Sequence, residues 1–395
     1  MIDMVRATAQ SPFKASCQVV RFAVLFRFSL LVAALLLIAA CAPRPGSNIL
    51  YPNPQAASSK RTVTVYVATS REQAVSAIDG FTAERADQLS YAEFVISIPP
   101  GHTDGEIEWP HSAKPDPDKV FTVISHTILS KNTFDSRINA QARSKNSNGK
   151  VALFVHGFNV SFQEGLFRLA QVSTDSDISG VPVFFSWPSQ ARLLDYATDK
   201  DSATFSRDGL TDVLDQLTGL SAVRSVMLFG HSMGGWLSME ALRQMALEGN
   251  HKSMKKLNVI LASPDIDEDV FNAQLDVIGP LDPPLLVLVS GDDHALQASR
   301  FIQGNRQRAG QLDITDPDVV AKAKEENVLL LDISSVQSRD PLNHSRYADL
   351  ASLYAELEDE NDMDSQFRQT GALIFDAVGN TLSAPFNMAG AALDN

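Results

Sequence analysis

The sequence predicts an α/β protein: a mostly parallel central sheet flanked by helices. Three observations lead there. Short apolar runs, the mark of strands buried on both faces, recur at residues 151–155, 181–185, 226–229, 257–261, 285–289 and 328–331. Helical or turn-rich segments separate them, the alternation that a parallel sheet with short crossovers requires. The side chains best suited to chemistry, His156, Ser232, Asp265 and Asp293, each follow closely on such a run. In an open α/β sheet, ligands gather at that carboxyl end of the strands.

The chain begins with a segment of a different kind. Arg6, Lys14, Arg21 and Arg27 precede an uncharged run at residues 28–42. The run is short for a membrane span, which takes about 20 residues, but it fits the apolar core of a secretory signal. Residues 1–40 are therefore expected to be a signal peptide. The alternative is an uncleaved N-terminal anchor. The protein holds two cysteines, Cys17 and Cys41. Removal of the signal would leave Cys41 alone, so no internal disulfide is expected. Residues 41–60, rich in Pro, Ser, Ala and Asn, read as a flexible tether.

Thirty-three Lys and Arg against 47 Asp and Glu give a net charge of −14. That balance speaks against a nucleic-acid partner, because phosphate binding needs a basic surface.

In chain order, residues 61–69 alternate Val63, Val65 and Val67 with polar residues, as a half-buried strand does. Residues 94–98 and 121–129 are further strand candidates, with a loop rich in Pro, Gly and Asp over 99–118. After the run at 151–155 comes His156-Gly157-Phe158-Asn159. Ser161 with Glu164 then forms a capping box that opens a helix. Leu210, Val213, Leu214 and Leu217 mark one helix face. Residues 190–206 read equally as a cap over the site or as a surface loop. The domain is expected to run over 61–355, with an acidic C-terminal extension at 356–395.

The chemistry concentrates at Val226-Met227-Leu228-Phe229-Gly230-His231-Ser232-Met233-Gly234-Gly235. A Gly-x-Ser-x-Gly pattern arises by chance roughly one time in eight in a chain this long. Here, however, it joins an apolar run to a helix-forming stretch, the strand–turn–helix setting of a nucleophile elbow. A serine hydroxyl needs a base, and the base an orienting acid. His344, in the turn-rich stretch Asp340 to Tyr347 after the last strand run, gives the order Ser, Asp, His. Asp293 (beside Asp292) and Asp265 compete as the acid. Backbone amides of Met233 and Phe158 are the expected oxyanion donors. His156 and His231 are read as residues that order the surrounding loops. No metal or cofactor is implied.

With these landmarks in place, the chain resembles the α/β-hydrolase superfamily of esterases and lipases, and most closely a bacterial subgroup of hydrolases of unknown function. The resemblance rests on Ala68-Thr69-Ser70-Arg71, residues 95–99, His156-Gly157-Phe158-Asn159, Phe185-Ser186-Trp187-Pro188-Ser189, residues 230–235, Ser263-Pro264-Asp265-Ile266-Asp267 and Asp293-His294-Ala295-Leu296, and spans roughly 61–353. Ser70 stands where Thr is the expected residue. The resemblance implies an α/β-hydrolase fold and favours Asp293 as the acid, two strands after the elbow strand, with Asp265 as the alternative. It further implies a serine hydrolase acting on a small-molecule ester; a thioesterase, peptidase, acyltransferase or non-catalytic binding lipoprotein is the alternative. Separately, Leu37-Ile38-Ala39-Ala40-Cys41 resembles a bacterial lipobox. It implies lipidation of Cys41 and a membrane-anchored protein of the bacterial cell envelope, facing the periplasm.

Overall fold

A computed structural model of the chain describes residues 44–59, 61–176, 180–349 and 387–390. The predicted signal peptide, Cys17 and Cys41 lie outside the described residues. Among those described, ten strands form one sheet in the order β10-β9-β8-β7-β6-β4-β5-β1-β2-β3. The strands are β1 (Thr62–Gln73), β2 (Phe81–Ser97), β3 (Thr122–Leu129), β4 (Lys150–Val155), β5 (Val181–Ser186), β6 (Ser225–His231), β7 (Leu257–Ala262), β8 (Leu285–Val289), β9 (Val328–Asp332) and β10 (Asn387–Gly390). From β1 through β9 in sheet order, the seven central strands are parallel. The antiparallel pairs sit at the edges, β1–β2 and β2–β3 on one side and β9–β10 on the other.

The apolar runs work as the sequence suggests. In β4, Leu153 and Val155 belong to one buried cluster and Ala152 and Phe154 to the other, because successive side chains point to opposite faces. One face is covered by α4 (Arg207–Gly219), α5 (Met233–Leu247) and α7 (Glu268–Ile278), through residues such as Leu214, Leu242 and Leu275. The other is covered by α2 (Phe162–Asp175), through Phe162, Leu166 and Phe167. The capping box at the start of α2 is formed: the Ser161 amide donates to the Glu164 carboxylate at 2.8 Å. The remaining helices are α1 (Lys131–Ala142), α3 (Tyr196–Phe205), α6 (His251–Met254), α8 (His294–Ile302) and α9 (Pro317–Glu325).

Three features depart from the sequence reading. First, β1 and β2 continue past residue 69 as a long twisted hairpin, with register shifts after Thr69 and Arg71. The polar stretch Thr82–Ser90 gives no alternation that would announce it. Second, residues 44–59 are not a loose tether. They form two short 3₁₀ turns, with Ile49, Leu50 and Ala56 buried. Three apolar side chains among Pro and Ser suffice, because β2, β3 and α2 leave apolar surface to be covered. Third, the end of the acidic extension pairs with β9 as β10, Asn387 opposite Asp332.

If this N-terminal segment belongs to the core, Leu50→Ala will lower the unfolding free energy by about 2–5 kcal/mol, the usual cost of emptying a buried leucine site. Urea denaturation followed by tryptophan fluorescence measures it. A change within about 0.5 kcal/mol, typical of a surface position, would restore the tether reading.

Candidate active site

The elbow is set by close backbone packing. Ser232 links β6 to α5 at φ 55°, ψ −121°, a strained conformation for a residue with a side chain. Room for it exists only because Gly230 and Gly234, two residues to either side, carry no side chain. A Cβ on Gly234 would lie 2.3 Å from the Val155 carbonyl oxygen, and one on Gly230 would lie 2.8 Å from the Gly235 Cα. The turn is tied down through the Ser232 carbonyl, which accepts from the amides of Gly235 at 2.9 Å and Asp265 at 3.1 Å.

Gly157 brings a second loop against Ser232: a Cβ there would lie 2.9 Å from Ser232 Cβ. Phe158 follows in that loop. Met233 is the first residue of α5, so its amide is one of the helix-terminal N–H groups without an acceptor one turn earlier. The loop rests on buried contacts. The His156 ring stacks on Trp187 at 4.8 Å, and Trp187 Nε1 donates to the His156 carbonyl at 2.7 Å. Burial first, and then the Arg71 charge, push the His156 pKa down to about 3, so the ring is neutral and structural.

Arg71 itself is fully enclosed. Its guanidinium donates to Ser186 Oγ (2.8 Å) and to the carbonyls of Thr82 (3.1 Å), Ser189 (3.2 Å) and Val160 (3.1 Å). It thus pins the loop after β4, the loop after β5 and the β1–β2 hairpin to one another. Burial lowers its pKa to about 9, opposed by the charges of Asp199 and Glu164. In the sequence, Arg71 stands out only as the last residue of Ala68-Thr69-Ser70-Arg71. Its role needs three distant segments to meet, and no local pattern shows that.

His344 lies at the same end of the sheet. Its Nδ1–H donates to Asp293 Oδ2 at 2.7 Å, and the Asp293 side chain is fully buried. The other carboxylate oxygen of Asp293 caps α8, accepting from the Leu296 amide at 2.9 Å. The helix start therefore fixes the direction of the carboxylate. With Nδ1 protonated, the neutral imidazole carries its lone pair on Nε2. His231, directly before Ser232, places its ring 4.7 Å from the His344 ring and donates from Nε2 to the His344 carbonyl at 3.0 Å. Burial, then the His344 charge, hold the His231 pKa well below 6.5.

The other carboxylates are committed elsewhere. Asp265 accepts from Tyr196 Oη at 2.7 Å and Ser299 Oγ at 2.7 Å, and pairs with buried Arg308 at 3.4 Å. The structure thus brings Asp293, not Asp265, to His344. Asp292 takes both terminal nitrogens of Arg346, which hold its pKa down to about 2. Asp340 accepts from the amides of His344 (3.0 Å) and Ser345 (3.1 Å). Asp340 thus folds the histidine loop on itself, and Asp292, with the His294 amide donating to the Leu342 carbonyl at 2.9 Å, straps it to the loop after β8. The rings of His251 and His294 are exposed, that of His294 turning to Gln297 at 3.2 Å.

Among the described residues, His102, Asp104 and Asp175 come close enough to suggest a metal group. They gather at the far end of α2 from Ser161, where both His102 ring nitrogens already face carboxylates, Glu108 at 2.8 Å and Asp175 at 2.7 Å. They take no part in the site at Ser232.

This sheet, with its strained serine at the carboxyl end of β6, is that of an α/β-hydrolase. The chain belongs to the family described as alpha/beta hydrolase of unknown function (DUF900), whose profile matches residues 130–360, more than half of the protein. A solved structure named as a "putative hydrolase" from Agrobacterium vitis S4 is similar at 10% identity, covering 56% of this chain and 83% of its own, with a TM-score of 0.27, too slight a likeness to carry an argument. A search of curated proteins finds no match.

Burial works against the charged form of His344, but the Asp293 hydrogen bond and charge, helped by Asp265 and Asp340, outweigh it and raise the pKa above 6.5. The pair therefore stabilises the fold below pH 6.5, and that contribution is lost as pH rises through the raised value. Asp293→Asn leaves burial less opposed. By NMR titration the His344 pKa should drop by about 1 to 3, the usual effect of one adjacent opposite charge; an unchanged titration would show that Asp293 does not govern the ring.

Proposed function

We propose that the protein is a serine hydrolase acting on carboxylic esters through Ser232, His344 and Asp293. The single observation that carries this reading is the buried Asp293–His344 pair, 2.7 Å apart, at the sheet end where Ser232 occupies its strained turn. In the reaction, His344 Nε2 takes the Ser232 proton as Oγ attacks the ester carbonyl. The amides of Phe158 and Met233 receive the oxyanion. His344 then returns the proton to the departing alcohol, leaving an acyl-enzyme. Water, deprotonated by the same imidazole, attacks the acyl carbon; the acid departs and the imidazolium returns its proton to Ser232 Oγ. Asp293 holds the tautomer and steadies the imidazolium. This sequence of steps uses no metal or cofactor. The same atoms serve a thioesterase, a peptidase or an acyltransferase, because the fold does not choose the acyl donor.

Three variants test the assignment together. Ser232→Ala should remove nearly all turnover of a short-chain ester while the protein stays folded. Asp293→Asn should lower kcat by about 10⁴. Asp265→Asn should cost far less, since that carboxylate holds Tyr196 and Ser299. A crippled Asp265→Asn beside a near-wild-type Asp293→Asn would move the acid to Asp265. Loss of activity within about tenfold for Ser232→Ala, roughly 1.4 kcal/mol, would end the triad reading.

We also propose that Cys41 carries lipid and anchors the protein in the bacterial cell envelope, facing the periplasm. The support is the run 28–42 ending in Ile38-Ala39-Ala40-Cys41. Among the described residues, no helix is long and apolar enough to cross a membrane. On this reading Cys41→Ala abolishes metabolic labelling by a fatty acid while ester turnover in the extract persists. Labelling that survives the substitution would overturn it.

A further inference from the structure

We infer that the catalytic end of the sheet is also a membrane-docking face, so that the site opens toward a lipid surface and its ester is drawn from there. The inference rests on the serine-hydrolase and anchoring readings above for its biological meaning, and on three structural observations for its geometry.

The first is where large apolar side chains are left in water. Leu193 and Leu194 stand just before α3, with Leu194 98% exposed, and Phe301 and Ile302 end α8, with Phe301 84% exposed. Scattered apolar residues on a surface are ordinary; these are not scattered. Gln303, directly after Ile302, donates to Tyr196 Oη, and Tyr196 Oη also lies 3.2 Å from Ser299 Oγ. Lys200 of α3 reaches Gln303 at 3.1 Å. The two apolar pairs therefore flank one polar seam.

The second is that this seam borders the site. The Tyr196 ring packs edge-on against Phe158 at 5.2 Å, and its hydroxyl reaches Asp265, whose amide holds the Ser232 carbonyl. The rim continues to the β1–β2 hairpin, where Gln190 donates to the Ala83 carbonyl at 3.0 Å and Arg85 to Ser202 at 3.1 Å. The hairpin's tip carries the fully exposed Val75.

The third is where the chain enters the described domain. The Pro45 carbonyl accepts from Gln163 at 2.6 Å, at the start of α2, the helix that follows the loop of His156 to Asn159. Tyr51 Oη donates to Asp79 in the hairpin turn at 2.9 Å. Cys41 precedes Pro45 by four residues, at most ~14 Å of extended chain. With residues 47–58 folded onto the domain, that short leash, and not a 20-residue tether, sets the reach of an anchor. An anchor on so short a leash keeps the end of the molecule that holds Pro45 at the bilayer, and the catalytic rim is at that end. Burial of apolar side chains in the lipid then supplies the attraction.

The test uses the full chain in phosphatidylcholine vesicles, in a Cys17→Ser background, with an environment-sensitive fluorophore placed by Leu194→Cys or by Val277→Cys on α7, and the Cys41-only parent subtracted. The label at 194 should shift to the blue on vesicles while the label at 277 does not. Equal responses overturn the inference. A blue shift at 194 that grows with protein concentration without vesicles also overturns it, by assigning the patch to a second copy. A second arm compares Leu193→Asp/Leu194→Asp with Val270→Asp/Val277→Asp. Only the first pair should lower turnover of a vesicle-embedded ester, by about tenfold or more, with turnover of a water-soluble ester unchanged in both. Equal losses in the two pairs count against docking. The fluorescence arm reads no activity, so a protein that docks yet hydrolyses no ester would refute the proposed function and leave the docking face standing.

Discussion

A single buried guanidinium ties together the loops at the carboxyl end of this sheet. Arg71 has no access to water, and a charge so placed costs several kcal/mol unless its donors find acceptors. It finds them in the loop after β4, the loop after β5 and the β1–β2 hairpin. The carboxylate that most favours its charge, Asp199, accepts from Ser189 and the Gln190 amide, in the same loop whose Ser189 carbonyl accepts from Arg71. Burial drives the carboxyl pKa of Asp199 up, opposed by those hydrogen bonds and by Arg71. The two buried charges thus hold the loop after β5 together, Arg71 through the Ser189 carbonyl and Asp199 through the Ser189 hydroxyl and the Gln190 amide. Hydrophobic packing alone could shift by an ångström at modest cost. These directional bonds cannot, and the loop of His156 to Asn159, which Gly157 brings against Ser232, runs directly into the Val160 carbonyl they hold.

The same economy of position governs the three histidines around Ser232. Two of them, His156 and His231, are buried without an adjacent carboxylate and are kept neutral by desolvation. The third, His344, is set against Asp293 and has its pKa raised instead. One ring type is therefore held in two electrostatic settings, and the deciding factor is which of them meets a carboxylate. The straps from Asp292 to Arg346 and from Asp340 to the His344 amide make that meeting reproducible, since a loop without regular structure has no ladder of its own to fix it.

Residues 190–206 lie between cap and surface loop in character. Their helix α3 packs beside the site through Tyr196, yet leaves Leu193 and Leu194 in solvent. Asp265 is part of this arrangement: its carboxylate is spent on Tyr196, Ser299 and Arg308. The two carboxylates that compete in the sequence thus have separate geometries, one toward the histidine and one toward the wall of the site.

The sequence by itself determined the parallel sheet, because strands buried on both faces must be written as continuous apolar runs, and each of the runs at 151–155, 181–185, 257–261, 285–289 and 328–331 is a strand. It also determined the elbow, because only glycine fits at 230 and 234, and the capping box at Ser161, because both partners lie within one turn. These are local constraints, and local constraints leave local signatures. Tertiary structure alone decided which carboxylate reaches His344, since Asp293 and Asp265 each follow a strand and differ only in what folds over them. It alone decided that Leu50 is core and that residues 387–390 close the sheet edge, because both depend on surface left uncovered by distant elements. The Arg71 clamp belongs with these: its acceptors are carbonyls and a hydroxyl from three segments, and a backbone carbonyl has no letter in the sequence.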